Sequence, residues 1–150
     1  MPFARDSQSH TVRSERCSTE YPIVLAHGMG FQAKIMGCID YWGTIPGALR
    51  EHGADVHVSR VNAMDSHAKK SAAWKEQVLG ILEKTGKPKV NVIGHSAGCL
   101  YSRYAITHLG MDTVVASHTS LAGPHRGSAV ADMFMGSIPD GLEPAVGSKL

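Results

Sequence analysis

The stretch Lys89-Val-Asn-Val-Ile-Gly-His-Ser-Ala-Gly98 decides the fold. Val90, Val92 and Ile93 form a short β-branched run after Gly86 and Pro88, which reads as a strand. Directly beyond it Gly94-His95-Ser96-Ala97-Gly98 has the pattern G-x-S-x-G, and Leu100, Tyr101, Tyr104, Ala105 and Leu109 then recur at helical spacing until Gly110. A strand that runs into a helix through this pattern is the setting a nucleophile elbow requires. The chain must reverse sharply with Ser96 in a strained conformation, and only small flanking residues leave room for that. The hydroxyl then projects above the sheet, where the helix N-terminus offers free N–H groups and a positive dipole end to a developing oxyanion. The plainer alternative is a glycine-rich turn in which Ser96 only caps a helix.

Upstream, Ile23-Val24-Leu25-Ala26 is a buried-strand run that ends in His27-Gly28-Met29-Gly30. An oxyanion hole needs two converging N–H donors. One is the residue after the nucleophile, Ala97, and the loop after the first strand supplies the other, Met29. His27, Gly28, Gly30 and His95 line the same place and are candidates for the pocket wall. Phosphate binding by this loop is disfavoured, because neither G-x-G-x-x-G nor a Walker pattern follows.

Tyr41, Ile45, Ala48, Leu49 and His52 recur at helical spacing, with Pro46 suited to a first turn and Gly53 to the end. Ala54–Val61 alternates as a strand near a sheet edge. Ser66–Lys84 is helical, with Trp74, Val78, Ile81 and Leu82 on one face. Val114–Ala122 is a fourth strand, and a short helix is expected around 128–135. The order β-α-β-α-β-α-β predicts an α/β class with a parallel sheet and helices on both faces. Active sites on such sheets lie at the carboxyl ends of the strands. The loops 27–30, 94–98 and 123–127 all leave those ends.

The 150 residues are 43% hydrophobic and 19% charged with net charge +2, which is one domain's worth of ordinary composition. No basic block exceeds two residues, so nucleic acid is not suggested, and the apolar runs are too short to span a bilayer. Residues 1–20 read as a flexible tail without an apolar secretory core, and residues 21–150 as the folded unit. The compartment is left open. Cys17, Cys38 and Cys99 are odd in number and lack metal-ligand spacing, and Asp65 with His67 makes too small a set for a metal, so none is assigned. In known triads of this type the order is Ser, then Asp or Glu, then His. His125, in Gly123-Pro-His-Arg-Gly127, is therefore the one internal candidate for a base and a candidate for the pocket wall, but the favoured reading gives it a structural role in holding its loop.

The residues Tyr21-Pro-Ile-Val-Leu-Ala-His-Gly-Met29, Asp40-Tyr-Trp-Gly-Thr-Ile-Pro46, Lys89–Gly98, Ser102-Arg-Tyr104 and Gly123-Pro-His-Arg-Gly-Ser128 resemble bacterial triacylglycerol lipases of the Pseudomonas/Burkholderia type. The resemblance runs in register over about residues 21–135. It implies a partial α/β-hydrolase fold, hydrolysis of ester or lipid substrates at a possible lipid interface, Ser96 as nucleophile, Met29 and Ala97 as oxyanion donors, and a lid that begins near residue 128. No cofactor is expected within these residues. The resemblance places the acidic and histidine members of the triad, and a calcium site, beyond residue 150, so the sequence resembles the N-terminal half of such a lipase. Ala97 and Cys99 depart from the larger or glycine residues usual after the nucleophile, and no secretion signal is legible although such lipases are exported. A truncated inactive fragment and a non-catalytic acyl-binding or assembly module are the alternative readings.

Overall fold

The computed structural model describes residues 14–28, 34–35, 39–62, 65–129 and 132–133. Four parallel strands form the sheet: β1 (Ile23–Ala26), β4 (Val56–Val58), β5 (Val90–His95) and β6 (Val115–Leu121), in the order β4-β1-β5-β6. Two short strands, β2 (Lys34–Ile35) and β3 (Ile39–Asp40), pair antiparallel between β1 and the first helix, a hairpin the sequence pattern does not announce. The helices are α1 (Ile45–Glu51), α2 (His67–Thr85) and α3 (Ala97–His108).

The boundaries follow local chemistry. Ser66 caps α2, its side chain accepting from the Lys69 amide, and Gly86 closes the helix in the left-handed region. The helix expected from Tyr41 begins only at Ile45. Gly43 takes a φ of 54°, which no helix accommodates, and Pro46 fits the first turn. Tyr41 and Trp42 are thereby released from α1, and Ile45 is half exposed rather than facing the core. The edge strand is confined to Val56–Val58, beyond which the Ser59 amide and hydroxyl both bond the Leu25 carbonyl.

Because neighbouring side chains on a strand point to opposite faces, β1 splits its apolar run between two cores. Val24 and Ala26 pack with Val90, Val92, Trp74, Val78, Tyr101 and Ala105 beneath α2 and α3. Ile23 and Leu25 pack with Trp42, Ala54 and Val56 beneath α1. The sheet thus has helices on both faces, as the β/α alternation requires. Residues 14–20, expected within the tail, run along this second core: Cys17 packs against it and donates its amide to the His52 carbonyl at 2.8 Å. Residues 1–13 and Cys38 lie outside the described residues. Of the helix expected around 128–135, Ala129, Asp132 and Met133 are helical, and the Asp132 amide bonds the Ser128 carbonyl. The remainder of the expected lid is not among the described residues. Among those residues no helix is long and apolar enough to cross a membrane.

Candidate active site

From β1 the chain leaves one way to β4 and later returns on the other side to β5. The carboxyl ends of β1 and β5 therefore flank the point where the winding reverses, which is where open α/β sheets leave a crevice. His27-Gly28 follows β1 there, and Ser96 follows β5.

Ser96 joins β5 to α3 with φ 54° and ψ −126°. A non-glycine residue there is strained, at a cost of about 1–3 kcal/mol, and stays only if its surroundings hold it. They do so through the backbone: the Ser96 amide donates to the Leu121 carbonyl of β6 at 2.9 Å, and its carbonyl accepts from Cys99 at 3.1 Å. A second positive-φ residue that is not glycine, Ala122 (φ 48°), ends the adjacent strand. Gly98 is required by close approach, since any Cβ on it would run into the Ala26 and His27 carbonyls at the end of β1. Gly28 is required in the same way: its Cβ would stand 2.7 Å from the Ser96 Cβ and 2.5 Å from the Tyr41 hydroxyl. The two glycines let the loop after β1 and the first turn of α3 close on each other around the serine.

The histidines are engaged elsewhere. His27 is fully buried. The Val61 amide donates to its Nε2 at 3.2 Å, so Nδ1 carries the proton and donates to the Gly28 carbonyl at 2.9 Å. Burial holds this imidazole below its ordinary range, hence neutral. The Tyr101 hydroxyl, its own pKa pushed up by burial, donates to the His27 carbonyl at 3.0 Å. His27 therefore shapes the loop from inside rather than lining an open pocket. The Nδ1 of His95 is hydrogen-bonded to the Tyr41 hydroxyl. His125 is exposed; Arg103 donates to its Nδ1 at 2.9 Å and its Nε2 meets the Ser120 hydroxyl at 2.8 Å. Both of its nitrogens are used in holding the loop after β6. His118 Nε2 meets the Ser102 hydroxyl at 2.8 Å, and that hydroxyl donates to the Gly98 carbonyl at 2.6 Å. None of these bonds goes to Ser96. A His–carboxylate pair does form, His57 with Asp55 at 2.9 Å, but at β4, two strands from β5.

Ser96, Ala97, Gly28, His27 and His95 are thus brought together, whereas His125 is tied to Arg103 and Ser120. Met29 and Gly30 lie outside the described residues. Sequence reasoning missed Tyr41, which its helical spacing had assigned to α1, and the Ser102–His118 pair under the elbow. A surface cavity of about 650 Å³ opens between α1, β4 and α2, lined by Trp42, Arg50, Arg60, Gln77 and Lys84 among others, and does not reach Ser96. Among the described residues no three His, Cys, Asp or Glu side chains gather as a metal site.

Residues 22–144 match the family model described as palmitoyl protein thioesterase. A triacylglycerol lipase of Vibrio cholerae is 44% identical over 123 residues, covering 82% of this chain and 38% of the relative. A triacylglycerol lipase of Burkholderia plantarii is 37% identical over 138 residues, 86% of this chain and 37% of its own. One from Pseudomonas fragi is 34% identical over 135 residues, with 89% and 45% covered. The chain thus spans about two fifths of the length of these curated relatives. In fold it is similar to the mature Bacillus licheniformis lipase BlEst2, with a TM-score of 0.67 at 20% identity over 84% of this chain and 52% of that one. It is likewise similar to the metagenomic carboxyl esterase MGS0156, with a TM-score of 0.61 at 17% identity over 81% and 38%. The partial α/β-hydrolase fold follows from these likenesses together with the sheet.

Proposed function

Because this chain belongs to the palmitoyl protein thioesterase family and is of the bacterial triacylglycerol lipase type, we propose that it carries the nucleophile half of a carboxylic ester hydrolase acting on lipid or other ester substrates. One observation carries this reading: Ser96 holds a strained conformation at the β5–α3 turn, on the crevice where the sheet reverses its winding.

Ser96 Oγ attacks the ester carbonyl to form a tetrahedral oxyanion; on its collapse the bond to the alcohol oxygen breaks, the acyl group stays on the serine, and the proton lost by Ser96 passes to the departing alcohol. Water then releases the acid. Ala97 is the first residue of α3, so its N–H has no partner within the helix and is available to the oxyanion. Met29 supplies the second donor from the loop that Gly28 brings against Ser96. The base that takes the Ser96 proton, and the acid that orients it, belong to the additional length found in the relatives. The histidine bonds described above support that assignment, since each goes to a partner other than Ser96.

The same bonds favour a second reading of the 150-residue chain taken alone: a hydrolase scaffold that engages an acyl ester with little turnover. Hydrolysis of p-nitrophenyl butyrate by the purified chain, beside Ser96→Ala and His125→Ala, separates the two. The expected rate depends on Ser96, is indifferent to His125, and stays near the order of 10³-fold over water that an oxyanion hole and binding give without a base. A large rate abolished by His125→Ala makes His125 the base and overturns the assignment. No Ser96-dependent rate in a folded chain leaves the binding scaffold.

A further inference from the structure

The Tyr41 hydroxyl lies between the two loops from which the proposed oxyanion donors come. It is hydrogen-bonded to His95 Nδ1, on the residue that precedes Ser96. It also stands 2.5 Å from where a Cβ on Gly28 would be, close against the loop after β1. The Tyr41 ring contacts His27 on one side, with centroids 5.6 Å apart, and His95 on the other, 5.7 Å apart. Trp42 packs edge-on against both Tyr41 and His95 and is buried in the core beneath α1. The chain thus reaches across 54 residues of sequence to place one hydroxyl at the junction of the two loops. From this geometry we infer that Tyr41 is a positioning residue, a clamp that fixes the spacing between the loop after β1 and the β5–α3 elbow. It sets where the Gly28 and Ala97 backbone stands relative to Ser96.

Three further observations agree. The Gly28 backbone amide lies close enough to the phenol oxygen to offset part of the upward pKa shift that burial gives Tyr41, which places a donor on the Gly28 side of the hydroxyl. Gly43, at φ 54°, breaks the helical run that would otherwise carry Tyr41 onto α1. Donation by the Tyr41 hydroxyl to Nδ1 requires that the His95 proton sit on Nε2. Misplacement of a reacting group by about 1 Å can cost on the order of 10²-fold. Removing the hydroxyl while keeping the ring is therefore expected to lower turnover without weakening substrate binding.

This inference rests on the esterase reading for its kinetic consequence but not for its structural one, so the test has two arms. In the first, the full chain labelled with 15N is examined by NMR. The expected wild-type His95 has an unprotonated Nδ1 and a protonated Nε2. In Tyr41→Phe it moves toward a mixture of tautomers, and the Gly28 and Ala97 amide signals shift together. A wild-type His95 protonated on Nδ1, or amide signals unmoved by Tyr41→Phe, overturns the clamp. In the second arm, Ser96-dependent hydrolysis of p-nitrophenyl butyrate is expected to lose about tenfold in kcat in Tyr41→Phe, with KM unchanged. His95→Ala should match that loss, the double variant should add little to it, and His95→Asn, which keeps an acceptor near the Nδ1 position, should recover most of it. A raised KM with kcat unchanged makes Tyr41 a substrate contact and overturns the positioning role. If no Ser96-dependent rate exists, the esterase reading fails while the first arm still decides the clamp.

Discussion

Strands β5 and β6 lie side by side, run parallel and share α3 as a neighbour, yet they are buried to very different degrees. Val90 and Val92 of β5 are fully enclosed, and the strand alternates buried with half-buried positions. On β6, Val115 and His118 are half-buried, while Ala116, Ser117, Thr119, Ser120 and Leu121 are exposed, Leu121 to 43%. The register also slips between Val90 and Asn91, where the ladder passes from Val115 to Ser117. Among the described residues β5 has a hydrogen-bonded neighbour on each side and β6 has one, β5. Burial in a sheet is conferred by neighbours, and the two strands differ in how many they have among the described residues.

The sharpest way to break this comparison is to place the same charge on both strands. Val92→Asp puts an unpaired carboxylate in a sealed core, at a cost of about 4 kcal/mol or more, and should abolish the cooperative urea transition followed by circular dichroism. Thr119→Asp on β6 should shift that transition by no more than about 0.5 kcal/mol. Comparable losses from the two substitutions would mean that β6 is covered in solution.

Acid should act next, through the histidines that packing has neutralised. Burial lowers the pKa of His27, of His67 and of His118, the last with help from His125 and Arg103. The unfolded chain therefore binds more protons than the folded one below about pH 6.5. Their contribution is fully present above that pH and is lost as pH falls through the lowered folded values. Melting temperatures measured from pH 7.5 down to 5 should fall, and less steeply in His118→Gln, whose site lies on the open strand.

Ser96→Gly should end any Ser96-dependent hydrolysis while raising stability. Relief of about 1–3 kcal/mol of strain is offset by the greater entropy of glycine in the unfolded chain, leaving a net gain of about 1 kcal/mol. A loss of stability would show that the elbow is not strained. The smallest effect is expected at the edge itself. Leu121→Ser should change stability by less than about 0.5 kcal/mol yet reduce concentration-dependent association, as read by light scattering, because it removes an exposed apolar residue from the strand.

Much of this architecture was legible in the sequence because the period of the apolar residues agreed with the turn chemistry. Val90, Val92 and the glycines around Ser96 pointed to one local structure, and Ser66 and Gly86 marked the true ends of α2. Tyr41 was misplaced for a physical reason. Positions 41, 45, 48 and 52 fit a helical face, and only the positive φ of Gly43, a backbone fact, separates the first from the others. The hairpin of β2 and β3 was invisible because strands of two residues carry no period. Histidine roles were legible only as neighbourhood: sequence put His27 and His95 beside the serine, but which nitrogen holds a proton depends on Val61 and Tyr41, both remote in sequence.

The central position of β1 has a consequence for how the chain is made. Its partners arrive late: Val56 about thirty residues after Ile23, and Asn91 about seventy after it. At ribosomal speeds of about 5–20 residues per second, Ile23-Val24-Leu25-Ala26 waits roughly 3–14 s before its second neighbour exists. During that interval the wholly apolar strand β1 has unsatisfied edges, two at first and then one. The step most exposed to misassembly is therefore set by strand order rather than by the final stability, and slowing translation between β4 and β5 should lower soluble yield without altering the melting temperature of the molecules that do fold.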